Sequence, residues 1–251
     1  MEKDLKLYEL PEIKELLQVL EENGLHQEQA NVRSLVDYIQ GMETKLNDMT
    51  REMQAMHGEV NEIRDNTIRA KCTELLAKAD EKIQQAKKLV VSCKENLITS
   101  ARNALKAFKE KGKDALITAV NAMKIPSALE MLRNGFQRVS EAMHRDAGKL
   151  DAVREELHGV GLHLKNAGRA LIGKPTKESE QLEADKGVLA RLRNFLQRSG
   201  DRFADMGRGA EELATGMRES HEQRQSVKAG LNQLKAEQKK AKAPKVQEPV
   251  R

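Results

Sequence analysis

The sequence predicts an all-α fold, an elongated coiled coil or antiparallel bundle of long helices. Apolar residues recur every seven positions over three long stretches, which places them on one stripe of a helix. The chain has no Trp, two Tyr and four Phe, so its apolar content suits narrow seams between helices better than a thick core. Proline, which breaks helices, is absent from residues 12–125, 127–174 and 176–243.

Each of the three stretches holds its own apolar row, and each row must be buried against another helix. The first row comprises Val32, Leu35, Ile39, Met42, Leu46, Met49, Met53, Met56, Val60 and Ile63. The second comprises Leu129, Phe136, Met143, Leu150, Leu157, Leu164 and Leu171. The third comprises Leu182, Leu189, Leu196, Phe203, Ala210, Met217 and, past Arg224, Leu231.

The first half of the chain is predicted to hold two helices. Residues 9–24 form a short N-terminal helix, which Asn23-Gly24 followed by Leu25 ends with a stop of the Schellman kind. A long heptad helix then occupies residues 25–125. Its spacing slips to four near residues 67–75, which indicates a stutter in the repeat. Gly112 is a candidate break within it.

The second half is predicted to form an antiparallel helical hairpin over residues 127–234. Pro126 ends the preceding helix, and Ser127 with Glu130 has the form of a capping box for the next. The break at residues 173–176 is short, and short connections make antiparallel neighbours. The basic segment 235–251, which contains two prolines, is expected to be a disordered tail.

A four-residue break also predicts the register of this hairpin. If the two seams face each other across it, Leu150 contacts Phe203 or Met206, and Phe136 contacts Met217.

The first apolar row, Val32 to Ile63, is predicted to be a self-association seam. No partner of matching length lies beside it in the sequence. An isolated helix of this kind exposes a continuous apolar stripe, which soluble monomers rarely tolerate. The expected partner is a second copy or another helical protein, unless the segment folds back on the later helices.

Charge is unevenly distributed along the chain. Residues 1–65 carry 15 acidic and 7 basic side chains, whereas residues 66–125 carry 13 basic and 6 acidic ones. Such a chain pairs head to tail with itself or binds a polyanion through its middle. Contact with an anionic membrane or nucleic acid is assigned to Lys82, Lys87, Lys88, Lys94, Arg102, Lys106, Lys109, Lys111 and Lys113. The alternative is a solvated helix face.

No pattern in the sequence points to catalysis, to a metal or to a cofactor. Glu141 with His144, and Glu155 with His158, repeat the Glu-x-x-His spacing of di-iron bundles, but their heptad positions face water. A Gly-rich phosphate loop, a nucleophile elbow and a Cys-x-x-Cys motif are all missing from the sequence. We therefore expect a non-enzymatic protein with no small-molecule substrate.

The cysteines and the hydropathy favour a cytoplasmic protein. Cys72 and Cys93 lie in one predicted helix, about 30 Å apart, so they cannot pair within it. They are expected to be buried thiols, and the alternative is a disulfide between chains. No apolar run approaches the roughly 18–20 residues of a membrane span. Residues 1–11 are too charged for a signal peptide.

Three segments resemble a family of uncharacterised helical proteins. They are residues 10–25 (LPEIKELLQVLEENGL), residues 36–43 (VDYIQGME) and residues 163–174 (HLKNAGRALIGK). The family is a domain-of-unknown-function class from Firmicutes, often found with plasmid and integrative-element genes. The resemblance implies a bacterial cytoplasmic protein in a mobile-element context, and it transfers no catalytic residue.

Overall fold

A computed structural model of the chain describes residues 6–172, 174–175 and 187–241. The described residues contain a 3-10 turn at Leu7–Glu9 and helices α1 (Pro11–Glu22), α2 (His26–Asn61), α3 (Asn66–Lys111), α4 (Lys113–Asn121), α5 (Ile125–Leu171) and α6 (Val188–Ala241). No strand occurs in those ranges. The predicted all-α class is confirmed.

The four long helices form an antiparallel bundle. Both α2 and α5 pack against α3 and against α6. Helices α2 and α6 run in opposite directions, because Glu52 pairs with Arg202 (2.7 Å) whereas the later Glu59 pairs with the earlier Arg191 (2.5 Å). The short connection from α2 to α3 makes these two antiparallel neighbours as well. Helix α1 packs on α3 and α2, and α4 packs on α3.

Helix α1 ends with the predicted Schellman motif. The Leu25 N–H donates to the Leu20 carbonyl (2.8 Å), and the Gly24 N–H donates to the Glu21 carbonyl (2.9 Å). Gly24 has a φ of 68°, a left-handed conformation that glycine adopts without the steric cost of a Cβ atom. This stop turns the chain back, so that α2 can pack on α1.

The long heptad helix predicted over residues 25–125 is wrong as a single element, since the structure divides it into α2, α3 and α4. Asp65 caps the start of α3, where its carboxylate accepts from the N–H groups of Thr67 (2.9 Å) and Ile68 (3.0 Å). The slip in heptad spacing near residues 67–75 therefore follows a change of helix and is not a stutter within one. Gly112, with a φ of 78°, separates α3 from α4, as anticipated.

Helix α5 begins earlier than predicted. It starts at Ile125, so Pro126 lies in its first turn, and no side chain caps this N-terminus. Proline suits the position because first-turn N–H groups have no acceptor within the helix. The capping box of Ser127 and Glu130 is therefore wrong, and Glu130 pairs instead with Arg218 of α6.

Helices α5 and α6 pack antiparallel, but not in the predicted register. Phe136 stacks on Phe203, with ring centroids 6.0 Å apart, and not on Met217. Asp151 pairs with Arg193 (2.6 Å), about ten residues, or roughly three helical turns, earlier in α6 than the prediction requires. The prediction assumed a tight turn at residues 173–176, whereas residues 172–187 separate the two helices. Leu182 lies outside the described residues.

This register leaves one end of each helix beyond the bundle. The Asp151–Arg193 pair sets the start of α6 level with about residue 156 of α5, so α5 continues for about 15 residues, or roughly 22 Å. At the opposite end, the Glu130–Arg218 pair lies near the start of α5, and α6 continues to Ala241, roughly 35 Å further. We call residues 157–171 the projecting end of α5 and residues 219–241 the projecting end of α6.

The predicted disordered tail, residues 235–251, begins too early. Residues 235–241 are helical and complete α6, whereas residues 242–251 lie outside the described residues. The composition of 235–241 explains the helix, because Lys, Ala, Glu and Gln all have high helix propensity and the next proline is Pro244.

Within the described residues, one stretch, Lys113–Glu155, is by length and composition apolar enough to cross a membrane, which differs from the expectation that no apolar run is long enough. A turn after Asn121 divides it, and Lys124 there adopts a left-handed conformation with a φ of 47°. Apolar residues on both sides of the turn are buried in the bundle: Leu116, Val120, Ile125, Leu129, Leu132 and Phe136. Packing of the bundle thus buries part of this stretch, and 28% of its most apolar window is buried.

Candidate functional site

The predicted self-association seam is buried inside its own chain. Nine of its ten residues are buried, and the tenth, Ile63, is partly buried against the same core. Helices α3 and α6, which pack on α2, cover this stripe. The seam is therefore not exposed to a second copy, because the later helices fold back on it. The buried members are Val32, Leu35, Ile39, Met42, Leu46, Met49, Met53, Met56 and Val60.

Tyr38, beside this seam, ties α2 to α6. Its hydroxyl donates a hydrogen bond to the main-chain carbonyl of Met206. Gly209 lies so close to the ring that a Cβ atom there would be 3.3 Å from it. Burial raises the pKa of the Tyr38 phenol well above its usual value. The contact is a specific polar link within an otherwise apolar interface.

The acidic first third of the chain folds onto the basic middle. Arg102 pairs with Glu12 (2.7 Å) and Lys109 pairs with Glu15 (2.8 Å), which joins α3 to α1. Lys94 of α3 pairs with Glu43 of α2 (2.9 Å) in the same way. Ion pairs within the chain thus take up part of the charge that was assigned to an anionic surface.

The other predicted anion-contact residues are scattered along α3 and α4. Lys106 pairs with Glu110 of its own helix (3.9 Å). Lys82 donates to Gln85 (3.3 Å) and Lys113 donates to the Asn23 carbonyl (2.6 Å). Lys88 and Lys111 are exposed on α3, and Lys87 lines a groove. The structure does not bring the nine residues together as one patch.

The groove lies on the outer face of α2 and α3 and has a volume of about 540 Å³. Its apolar side includes Val91, which is 46% exposed. The Nε2 atom of Gln40 is buried there and makes no hydrogen bond within the described part of the chain. The residues lining the groove are Lys6, Gln40, Gly41, Glu43, Thr44, Leu46, Asn47, Lys87, Val90, Val91 and Lys94. Sequence reasoning missed the groove because it arises only from the pairing of α2 with α3.

A smaller cleft of about 290 Å³ lies where α6 leaves the bundle. Helices α2, α4, α5 and α6 all contribute to it. The lining residues are Glu28, Asn31, Val120, Asn121, Ile125, Pro126, Met217, Arg218 and Glu222.

The Glu-x-x-His pairs are not assembled into a metal site. Glu141 and His144 are exposed, and the Nε2 atom of His144 lies 3.4 Å from the Oδ1 atom of Asp201. Glu155 is exposed, and the side chain of His158 lies outside the described residues. Within the described ranges, no group of three or more His, Cys, Asp or Glu side chains is placed to hold a metal ion.

Both cysteines are buried and free, as predicted. Burial raises the pKa of the Cys93 thiol to about 11 and raises that of Cys72 as well. Thiols of this kind are poor nucleophiles, because the thiolate is the reactive form. They are packing residues of α3.

The projecting ends carry exposed apolar side chains. Leu171 is 87% exposed, Ile172 beside it is 66% exposed, and Leu234 is 57% exposed. Of the five large apolar residues recorded as exposed in the described part of the chain, these three lie on or next to the projecting ends, and Val91 lies in the groove. The remaining one is Met131 on α5.

Comparison with known proteins places the chain in a family. No curated protein and no solved structure shows significant similarity to it. The sequence profile of one family of unknown function, DUF6674, matches residues 9–251, a range that includes all six described helices. An uncharacterised domain-of-unknown-function family is what the resemblance predicted, and the chain belongs to the family of unknown function DUF6674.

Proposed function

We propose that this protein is a non-enzymatic helical scaffold that self-associates through the projecting end of α6. The observation that carries the proposal is the exposure of Leu234 on a helix that continues roughly 35 Å past the Glu130–Arg218 pair. A helix of this length has little stability alone unless its apolar stripe is packed.

A second copy of the chain is the proposed partner. The third apolar row packs inside the bundle as far as Met217, and its spacing continues past Arg224 to Leu231. Two such ends from different copies offer each other matching stripes, and two-fold dimers are the commonest soluble assemblies. The proposed contact between copies is therefore the projecting end of α6, in place of the buried α2 seam that the sequence predicted.

The test is the mass of the full-length protein in solution. We expect sedimentation equilibrium of the wild type to give twice the chain mass of 28.2 kDa. Leu234→Glu should shift the mass to that of one chain, because it places a charge in the apolar contact. Met131→Glu is the matched control, since Met131 is 62% exposed but lies on the bundle, and it should leave the dimer intact.

Two results would contradict this proposal. One is a wild-type mass that stays at 28.2 kDa across the concentration range. The other is an equal response to Leu234→Glu and Met131→Glu, since only a specific contact at the end of α6 distinguishes them.

The rival function is binding of an anionic membrane or nucleic acid through the basic segment 82–113 and the basic tail, residues 235–251. It is less well supported, because Lys94, Arg102, Lys106 and Lys109 already have carboxylate partners. Flotation with anionic liposomes and a duplex-DNA shift at low salt test it. Binding that falls steeply with salt favours this rival.

The cellular setting belongs to the same proposal. A cytoplasmic protein of Firmicutes mobile elements is what the family resemblance implies. A census of the genes that neighbour the family's members tests this, since a random set of neighbours removes the support for a mobile-element context.

A further inference from the structure

Helix α3 carries a ladder of cations along the face that α1 partly covers. Lys87, Lys94, Arg102 and Lys109 are spaced seven, eight and seven residues apart, a spacing that keeps them on one side of a helix. The two later cations, Arg102 and Lys109, pair with Glu12 and Glu15 of α1. The two earlier cations line the groove between α2 and α3.

Helix α1 shows what this face binds. It is an acidic amphipathic helix whose apolar residues are buried against the bundle while its carboxylates reach the α3 cations. The buried residues are Ile13, Leu16, Leu17 and Leu20.

The groove continues directly from the surface of α2 and α3 on which α1 packs, which we call the α1 seat. Lys6, which precedes the turn leading into α1, lines the groove, and Leu7 next to it is fully buried. Tyr8 fixes this boundary, because its hydroxyl donates to Asp37 of α2 (2.8 Å). The groove thus lies on the same face of α2 and α3 as α1, just beyond the N-terminal end of α1.

The chemistry of the groove repeats that of the α1 seat. Val91, which is 46% exposed, provides the accessible apolar surface of the groove, and the buried Val90 lies beside it. Lys94 is paired with Glu43, so the net cationic charge of the groove comes from Lys87 and Lys6. Gln40 adds a buried amide donor that makes no hydrogen bond in the described part of the chain.

We propose that this groove binds an acidic amphipathic helix of a partner protein, seated on α2 and α3 as α1 is. Charge complementarity and continuity with the α1 interface both favour this occupant. The groove is separate from the projecting end of α6, so either surface can fail its test without affecting the other.

The experiment measures binding of a fluorescein-labelled, end-capped peptide of residues 9–24 to the full-length protein by fluorescence anisotropy. This peptide is a probe with the chemistry of α1. We expect Lys87→Glu to weaken its binding about tenfold, and Val91→Glu to do the same, because each places a negative charge in the groove. Lys88→Glu is the matched control, since Lys88 is exposed on the same helix but does not line the groove, and it should change binding less than about twofold.

Circular dichroism should show that the three variants keep the wild-type helix content, since all three positions are at the surface. The absence of peptide binding to the wild type would overturn the proposal. Equal weakening by Lys87→Glu and Lys88→Glu would also overturn it and would indicate a general attraction to the basic face. Arg102→Glu tests displacement of α1, because Arg102 pairs with Glu12 of that helix. Binding weakened by Arg102→Glu but not by Lys87→Glu would also overturn the proposal, since the peptide would then be replacing α1.

Discussion

The two halves of α6 share one heptad spacing, but the described apolar side chains of the two halves differ in burial. The first half is buried by α5, α2 and α3, whereas the projecting end carries Leu234 at 57% exposure. The buried residues of the first half, glycines aside, are Ala190, Leu192, Phe195, Leu196, Ser199, Phe203, Met206, Ala210, Ala214 and Met217. The comparison shows that a repeating stripe indicates the need for a partner helix without indicating which helix supplies it.

The α2 seam also shows that an apolar stripe does not indicate which helix will cover it. It has a long apolar row and no partner of matching length beside it in the sequence, yet helices α3 and α6 cover it. The stripe of α2 is satisfied within the molecule, so the proposed self-association is assigned to the end of α6.

The largest effect should come from a ring in the first half of α6. Phe203→Ala removes a fully buried side chain that stacks on Phe136, and we expect it to lower the free energy of unfolding by about 3–5 kcal/mol. Urea unfolding followed by circular dichroism measures this.

Leu234→Ala is the matched change in the projecting end. At a protein concentration that keeps the chain monomeric, we expect it to alter the free energy of unfolding by less than about 0.5 kcal/mol. Comparable losses for Phe203→Ala and Leu234→Ala would mean that the end of α6 packs on its own bundle.

Local signals in the sequence predicted much of this fold. Gly24 and Gly112 mark real helix ends because a left-handed turn demands a residue without a Cβ atom. Asp65 is an equally local signal, a preferred N-cap residue, and it could have located the break between α2 and α3.

The register and the surfaces were less predictable, for a physical reason. The pairing of Phe136 with Phe203 depends on packing across the bundle, which the spacing of either helix alone does not specify. The groove beside Lys87 likewise requires two helices and the position at which α1 begins. The apolar stripe of each helix can be identified from a short stretch of sequence, whereas the pairing of two stripes depends on how the whole molecule packs.

A smaller effect is expected at the polar link between α2 and the first half of α6. Tyr38→Phe removes the hydrogen bond to the Met206 carbonyl while keeping the ring, so we expect a loss of about 1 kcal/mol in the free energy of unfolding. Tyr8→Phe is the control, because the hydroxyl of Tyr8 links the N-terminal turn to Asp37 and does not contact α6. A destabilisation by Tyr38→Phe above about 3 kcal/mol would mean that the ring itself has been displaced.

The tyrosines also give a test by pH. Burial and the neighbouring Asp37 raise the pKa of Tyr8 to about 12, and burial raises the pKa of Tyr38. The folded state therefore holds both phenolic protons more tightly than the unfolded chain, whose tyrosines have a pKa of about 10. This contribution to stability is complete below about pH 10 and is lost as pH rises towards 12. Absorbance at about 295 nm should show little tyrosinate at pH 10 until the protein unfolds; ordinary ionisation there would contradict the burial of Tyr38.

A similarly small effect is expected at the Glu130–Arg218 ion pair, close to where α6 leaves the bundle. Arg218 and Glu130 are about half exposed, so water and salt screen their attraction, and Arg218→Ala should lower the free energy of unfolding by no more than about 0.5 kcal/mol. A double-mutant cycle with Glu130→Ala separates the pair from other effects of each change, and its coupling energy should shrink further in 1 M salt. Amide exchange in residues 188–217 should stay as slow as in the wild type, because buried apolar residues hold that half of α6. Faster exchange throughout α6 in Arg218→Ala would instead mean that this pair fixes the register of α5 and α6.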